Sequence, residues 1–435
     1  MTPPDTTSER PVRVGMHALI DPYGAGGSES SVMSIIDNLS SRDLGIELRV
    51  LVLPSFAAKM AERTGNRSIV VPVPFREIGP VQISAGGRVG RTLAWTGGLR
   101  PLLEPLALWY VAWRMRPRMS AEEIDQFLQQ QGVDVLHFGY SYNFPTRFPF
   151  IYEPHDIQHK TYPEFFTPQE LSWRDEVYTR GITSAAFVVC GTRWTKGNIV
   201  EKFGVRPEKV AVIPRYSVNA RVPVAARRQQ EIAVRLRLPE RYAYYPAMTF
   251  PHKNHLRLLE ALALLRDRHG MKLHLVCTGR LFQRHQGELM QAVRRLGLED
   301  QVKFLGPLPE DELVTVFERA SLVVFPSLFE GLSQALLEAL AFGKPIVAAR
   351  QSSIPETVGD AAILFDGCDI EAIVDALHRA ISRPDVLREA AARTKAQLAR
   401  YDWDRAAVAL AACYKKAAGR RLSVEESAAL AQATG

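Results

Sequence analysis

Two glutamates eight residues apart, Glu330 and Glu338, mark the most chemically suggestive segment of the chain, SLFEGLSQALLEALAFGKPIVA. With SLFEGLS read as the loop before the helix, that spacing is about 12 Å if the loop residue continues the helical rise of 1.5 Å per residue. A double-displacement glycosidase holds its carboxylates about 5 Å apart, so this pair does not suit nucleophile-and-acid work. It suits gripping opposite ends of one long ligand. The backbone N–H groups of Gly331, Leu332 and Ser333, at the expected start of the helix, suit an anion such as a diphosphate, and Gly331 permits close approach. A second candidate is Lys253 in the loop PHKN, where a flexible ammonium can neutralise charge gathering on a leaving group. A third is the turn GAGGSES, residues 24–30, in which Gly26 and Gly27 admit a ligand close to the backbone. It lacks both the G-x-G-x-x-G spacing of a dinucleotide site and the GK[ST] of a P-loop. The fourth is His155 with Asp156, in YEPHDIQHKTYPEFF; His159, four residues on, is a weaker candidate. No cluster of Asp and His ligands accompanies these segments, so no metal is expected.

These residues need elements to hold them, and the sequence supplies a strand before each. Arg13–Leu19 precedes the glycine turn, Phe150–Pro154 precedes the His-Asp pair, Tyr242–Tyr245 precedes Lys253, and Leu322–Phe325 precedes Glu330. Further strands are read at 48–53, 133–138, 186–190, 210–214, 273–278, 302–305, 345–348 and 362–365, with apolar-periodic helical stretches between them. Strand alternating with helix argues for parallel sheets covered on both faces, and the loops leaving their carboxyl ends are where such sheets bind ligands. The chain of 435 residues is too long for one core, and PRYSVNARVPVAARRQQ reads as a connector between two α/β halves.

FEGLSQALLEALAFGKPIVA resembles the E-x7-E region of the family-four retaining glycosyltransferases, which have the GT-B fold, and SSIPETVGDAAILFD extends the likeness. YAYYPAMTFPHKNHLRLLEAL, the HD…PEFF segment and GTRWTKGNIVEKFGVRPEKVAVIPRY add to it, the first two looking most like bacterial mannosyltransferases. The resemblance covers most of residues 12–54 and 133–415 and fails over about 55–130. It implies two Rossmann-like domains with parallel sheets facing across a cleft: an acceptor-side domain 1–217, a nucleotide-sugar domain 218–395, and a helix 396–418 crossing back to the first domain. The polar, alanine-rich composition of 419–435 reads as a mobile tail. The resemblance also implies a hexosyl transfer to a saccharide or lipid-linked saccharide with retention of anomeric configuration. The motifs point to mannose from GDP-mannose and leave uridine-linked sugars open. The alternatives are a nucleotide-sugar epimerase of the same architecture or a non-catalytic nucleotide-sugar-binding scaffold. Carried over, Glu330 contacts the transferred sugar, Glu338 the ribose, and Gly331, Leu332 and Ser333 the sugar or phosphates. Gly26 and Gly27 lie by the donor phosphates, and Lys253 faces the diphosphate. His155, Asp156 and Arg193 are on the acceptor side; His155, Glu330 and Lys253 form the catalytic set. Relatives usually place an Arg five residues before the Lys. Here that position is Met248, so one phosphate contact is missing or supplied elsewhere, with His252 and Arg280 as candidates.

Composition is that of a globular protein, 46% hydrophobic and 23% charged. The net charge of +7 suits anionic ligands such as diphosphates or lipid headgroups; no nucleic-acid partner is expected. Cys190, Cys277, Cys368 and Cys413 have neither zinc-ligand nor redox spacing, the first residues show no secretory apolar stretch, and Pro105–Trp113 is too short to span a bilayer, so a cytoplasmic protein is expected. Between residues 86 and 118, six arginines are interleaved with Trp95, Trp109, Tyr110 and Trp113. That pattern suits peripheral contact with an anionic membrane.

Overall fold

The computed structural model describes residues 10–20, 27–75, 119–216 and 223–435. The basic, aromatic stretch 86–118, Gly26 and the domain boundary expected at 217–218 lie outside them.

Runs of Val, Ile, Leu, Phe and Tyr short enough to be strands, and buried on both faces, form two parallel sheets. The first contains β1 (Val12–His17), β2 (Ile46–Val52), β3 (Ile69–Pro72), β4 (Val135–Phe138), β5 (Phe150–Tyr152), β6 (Phe187–Cys190) and β7 (Val210–Val212), in the order β3-β2-β1-β4-β5-β6-β7. The second contains β8 (Tyr242–Pro246), β9 (His274–Thr278), β10 (Val302–Phe304), β11 (Leu322–Phe325), β12 (Ile346–Ala349) and β13 (Ala362–Phe365), in the order β10-β9-β8-β11-β12-β13. All pairings are parallel. Strand order reverses between β1 and β4 and between β8 and β11, and at such switch points neighbouring loops diverge and leave a crevice. The loops after β1, β8 and β11 are those that carry the glycine turn, Lys253 and Glu330.

The sequence reading omitted β3. It is a four-residue edge strand with Ile69 48% exposed and a proline at its end, so it shows neither alternation nor a buried run. The crossing from the second half back to the first happens at Asp402. Tyr401 packs in the core of the second sheet, whereas Trp403, Leu410 and Tyr414, on the helix Trp403–Ala417, pack in the core of the first. Residues 419–435 are not a frayed tail. Val424–Thr434 is a helix whose Ser423 and Glu426 form a reciprocal capping box, and Glu426 also pairs with Lys415 on the preceding helix. The cap supplies partners for amide groups that an alanine-rich helix would otherwise leave unsatisfied.

Candidate active site between the two sheets

Lys253 closes a short 3-10 turn, Pro251–Lys253, directly after β8. The next residue, Asn254, adopts φ +61°, in the left-handed region that Asn tolerates better than most side chains. Its buried amide donates to the carbonyls of Pro326 (3.0 Å) and Gly367 (2.8 Å), and the Tyr245 hydroxyl donates to Lys253 O at 2.7 Å. The backbone of Leu328 donates to His252 O at 2.8 Å. These bonds sew the β8 loop onto the β11 loop, and the Lys253 ammonium lands 2.6 Å from Glu330 Oε1. Glu330 is held from the other side: its N–H donates to Ser352 Oγ (2.9 Å) and its carbonyl accepts from Ser353 Oγ (2.8 Å). Ser352 has φ +52° and His155 φ +60°. Thus three of the four described non-glycine residues with positive φ gather here, the pattern expected where surrounding structure over-determines a functional loop.

Glu330 lies in the loop before the helix that carries Glu338, as the sequence reading has it. The helix begins only at Gln334, with Ser333 as its N-cap, so the spacing of about 12 Å along a continued helical rise does not apply. The N–H groups of Gly331, Leu332 and Ser333 are consequently loop donors, not the open end of a helix. Gly331 is also a point of contact between the two halves. A Cβ there would sit 2.1 Å from the His155 carbonyl oxygen, and Gly331 O accepts from Thr192 Oγ1 and Thr195 Oγ1, each at 3.0 Å. Leu332 packs over Gly191, where a Cβ would meet its side chain at 2.5 Å. Phe329 lies edge-on to Trp194 (5.3 Å) and Tyr162 (6.0 Å). Glu356 crosses from the second half to accept the N–H groups of Arg193 (2.8 Å) and Trp194 (3.0 Å), at the start of the helix Arg193–Phe203. Arg284 pairs with Glu170 farther out, at 3.1 Å.

The remaining candidates fall as follows. His155 and Asp156 follow β5, and Asp156 accepts from the N–H of Gln158 at 3.1 Å. Arg193 is exposed at the first position of its helix, Glu338 is half-buried within the helix Gln334–Ala341, and Gly27 begins the helix after the glycine turn. Of the two stand-ins for the missing arginine, His252 stacks on Phe250, and burial, reinforced by Lys253, pushes its pKa well down, so it carries no charge to offer a phosphate. Arg280 is exposed beside the Met248–Thr249 turn, its carbonyl accepting from Thr249 N–H at 3.2 Å. His159 is a core residue: 2% exposed, edge-on to Tyr178 at 4.6 Å, and held neutral by burial, with a pKa of about 4. Among the described residues no group of three or more His, Cys, Asp or Glu is arranged to hold a metal.

Sequence reasoning missed the buried Glu153 and Arg215, and Thr192 with Thr195; it met Glu356 only as the glutamate of SSIPETVGDAAILFD, without its bridging role. Glu153 left a trace as a charge ending the apolar run FIY.

Comparison with known proteins points one way. Residues 25–216 match the family model "Glycosyltransferase Family 4" and residues 227–397 match "Glycosyl transferases group 1". The O-antigen chain mannosyltransferase B of Escherichia coli is 24% identical over 329 residues, spanning 75% of this chain and 83% of the relative. The MMP alpha-(1->4)-mannosyltransferase of Mycolicibacterium hassiacum is 29% identical over 227 residues, 51% of this chain and 52% of the relative. Among solved structures, Anabaena HepE in complex with UDP and glucose superposes with a TM-score of 0.62 at 18% identity, covering 91% of this chain and 97% of that one. Likeness at that identity speaks for the fold alone.

Proposed function

The chain belongs to the family-four-type glycosyltransferases of GT-B fold, and from that premise we propose that it transfers mannose from GDP-mannose to a saccharide or lipid-linked saccharide, with retention of anomeric configuration. The Lys253–Glu330 pair carries this reading: a cation and a carboxylate 2.6 Å apart, on the two loops that leave the switch point of the second sheet. A diphosphate entering there competes with Glu330 for the ammonium and releases the carboxylate to accept hydrogen bonds from sugar hydroxyls. Gly331, Leu332 and Ser333 present N–H groups to the same ligand, Glu338 meets the ribose, and Gly26 and Gly27 approach the phosphates from the other half. Arg280 supplies the cation that Met248 does not. As the glycosidic bond breaks, negative charge gathers on the leaving diphosphate, where Lys253 and the loop N–H groups stabilise it without rearranging. The acceptor hydroxyl lies beside His155, Asp156 and Arg193, and its proton passes to a phosphate oxygen of the leaving group.

Mannose is supported by the names of the two relatives and by the HD…PEFF segment. A uridine-linked donor is the second reading, which the sequence motifs leave open. The stretch 86–118 is the part of the chain suited to meet the membrane that carries a lipid-linked acceptor. The experiment is a thermal-shift panel of GDP-mannose, UDP-glucose and the free diphosphates, followed by NMR of the product's anomeric proton. Stabilisation by GDP-mannose and an α-linked product from the α-linked donor are expected. A shift with UDP-glucose alone replaces the donor, an inverted product removes retention, and no shift with any nucleotide sugar removes the reading.

A further inference from the structure

Glu153 follows β5 immediately and continues its ladder, donating its N–H to Phe138 O at 2.9 Å, so the carboxylate is carried into the protein, where it is 5% exposed. Arg215, also 5% exposed, bonds Glu153 Oε1 directly. His155 Nδ1 lies 3.7 Å from the same oxygen, and His137 Nε2 lies 3.6 Å from Oε2. His137 in turn shares a 2.6 Å hydrogen bond through Nδ1 with the Tyr414 hydroxyl, and the Arg215 guanidinium sits 5.7 Å over the Trp403 ring. β4 and the segments after β5 and β7 therefore meet at one buried carboxylate, with two residues of the cross-over helix Trp403–Ala417 behind His137 and Arg215. Glu153 Oε2 and His137 Nε2, which face each other, have no hydrogen-bond partner, and on the side of His155 the unpartnered atom is its own Nε2.

From this geometry we infer that Glu153, anchored by Arg215, is the positioning residue for His155: its carboxylate charge, 3.7 Å from Nδ1, favours the proton on Nδ1 and so leaves Nε2, buried and without a hydrogen-bond partner, as the acceptor nitrogen. A carboxylate behind an imidazole sets tautomer and ring orientation in this way without touching substrate. The arrangement also accounts for the backbone. His155 is kept at φ +60° while its carbonyl abuts Gly331, and the buried carboxylate holds the ring from behind as the opposite half closes on the carbonyl. Arg215 is what keeps the carboxylate ionised. Burial alone pushes the Glu153 pKa up, but the Arg215 charge, followed by the two imidazoles, overrides it and holds it at about 2.

This inference rests on the proposed role of His155, and its test separates the two. Long-range 1H–15N spectra of the full chain report the His155 tautomer whether or not transfer is observed. The wild type is expected as Nδ1–H, and Glu153→Gln, whose amide can donate as well as accept, is expected to give a mixture. In transfer assays Glu153→Gln lowers kcat by about 10²-fold, the scale of a small misplacement, with little change in donor KM; Glu153→Asp recovers part of the loss. The double variant Glu153→Gln/Arg215→Met, which leaves no unpaired buried charge, folds and stays slow. An Nε2–H tautomer in the wild type, or a Glu153→Gln enzyme with unchanged kcat, overturns the inference. A tautomer shift on Glu153→Gln accompanied by a fully active His155→Ala upholds the positioning and overturns the role given to His155.

Discussion

What Lys253 does depends on its partner. Facing Glu330 at 2.6 Å, with both side chains largely buried, it is neutralised before any ligand arrives, and a phosphorylated donor must exchange one anionic partner for another. Lys253→Ala is expected to lower transfer by about 10²-fold or more, the scale seen when a charge-stabilising donor is removed, and to weaken nucleotide-diphosphate affinity in calorimetric titration. A Lys253→Ala enzyme that matches wild-type kcat/KM removes Lys253 from the site. The sequence and its resemblance named both residues of this pair. They did not name their contact, because the residues are 77 positions apart and meet only after β8 and β11 pair. Glu153 and Arg215 were hidden for the same reason: in a list of residues each is an ordinary charge, and burial of both makes them a unit.

Among the elements, the loop 326–333 and the helix Arg193–Phe203 form the seam between the halves. Gly331 is required there by space: an added methyl group would meet a backbone oxygen, which cannot rotate away. Gly331→Ala is therefore expected to push the seam apart, with a loss of about 1–3 kcal/mol in urea unfolding, as for other overpacked sites, and a fall in transfer. Unchanged stability and activity would mean that the seam opens freely. Glu356→Ala takes the carboxylate from the first turn of the Arg193 helix, a cap worth about 1 kcal/mol. Faster amide exchange at Arg193 and Trp194 is the expected signature; exchange as slow as wild type would show that the cap does not hold the halves together. Local sequence explains the helix Val424–Thr434 after the fact, since Ser423-x-x-Glu426 is a capping box in plain view. Its alanine-rich composition, weighed without the cap, suggested fraying.

Over the whole molecule, buried neutral histidines set the response to acid. Burial lowers the pKa of His137, His155 and His252, takes His159 to about 4 and takes His255 to about 3. Below pH 6.5 the unfolded chain binds protons that the folded chain refuses, so stability falls as pH falls, by up to about 1.4 kcal/mol per pH unit for each such group. Glu153, depressed to about 2, adds a loss of the same sign below its ordinary value of 4.5. Melting temperature should drop steadily from pH 7 to pH 5. His255→Phe, which replaces a ring without hydrogen-bond partners tilted against Tyr245, should flatten the drop; parallel curves for variant and wild type would show that His255 is not among the groups responsible. The sequence by itself determined the alternation of strand and helix, two halves, and the loops that carry Lys253, Glu330 and His155, because hydrophobic period and residue type are local properties. Only the tertiary structure decided the strand order, the ion pair, the close approach at Gly331 and the buried charges behind His155. These arise where distant segments exclude water together, and a residue's place in the chain does not record which groups will share that space.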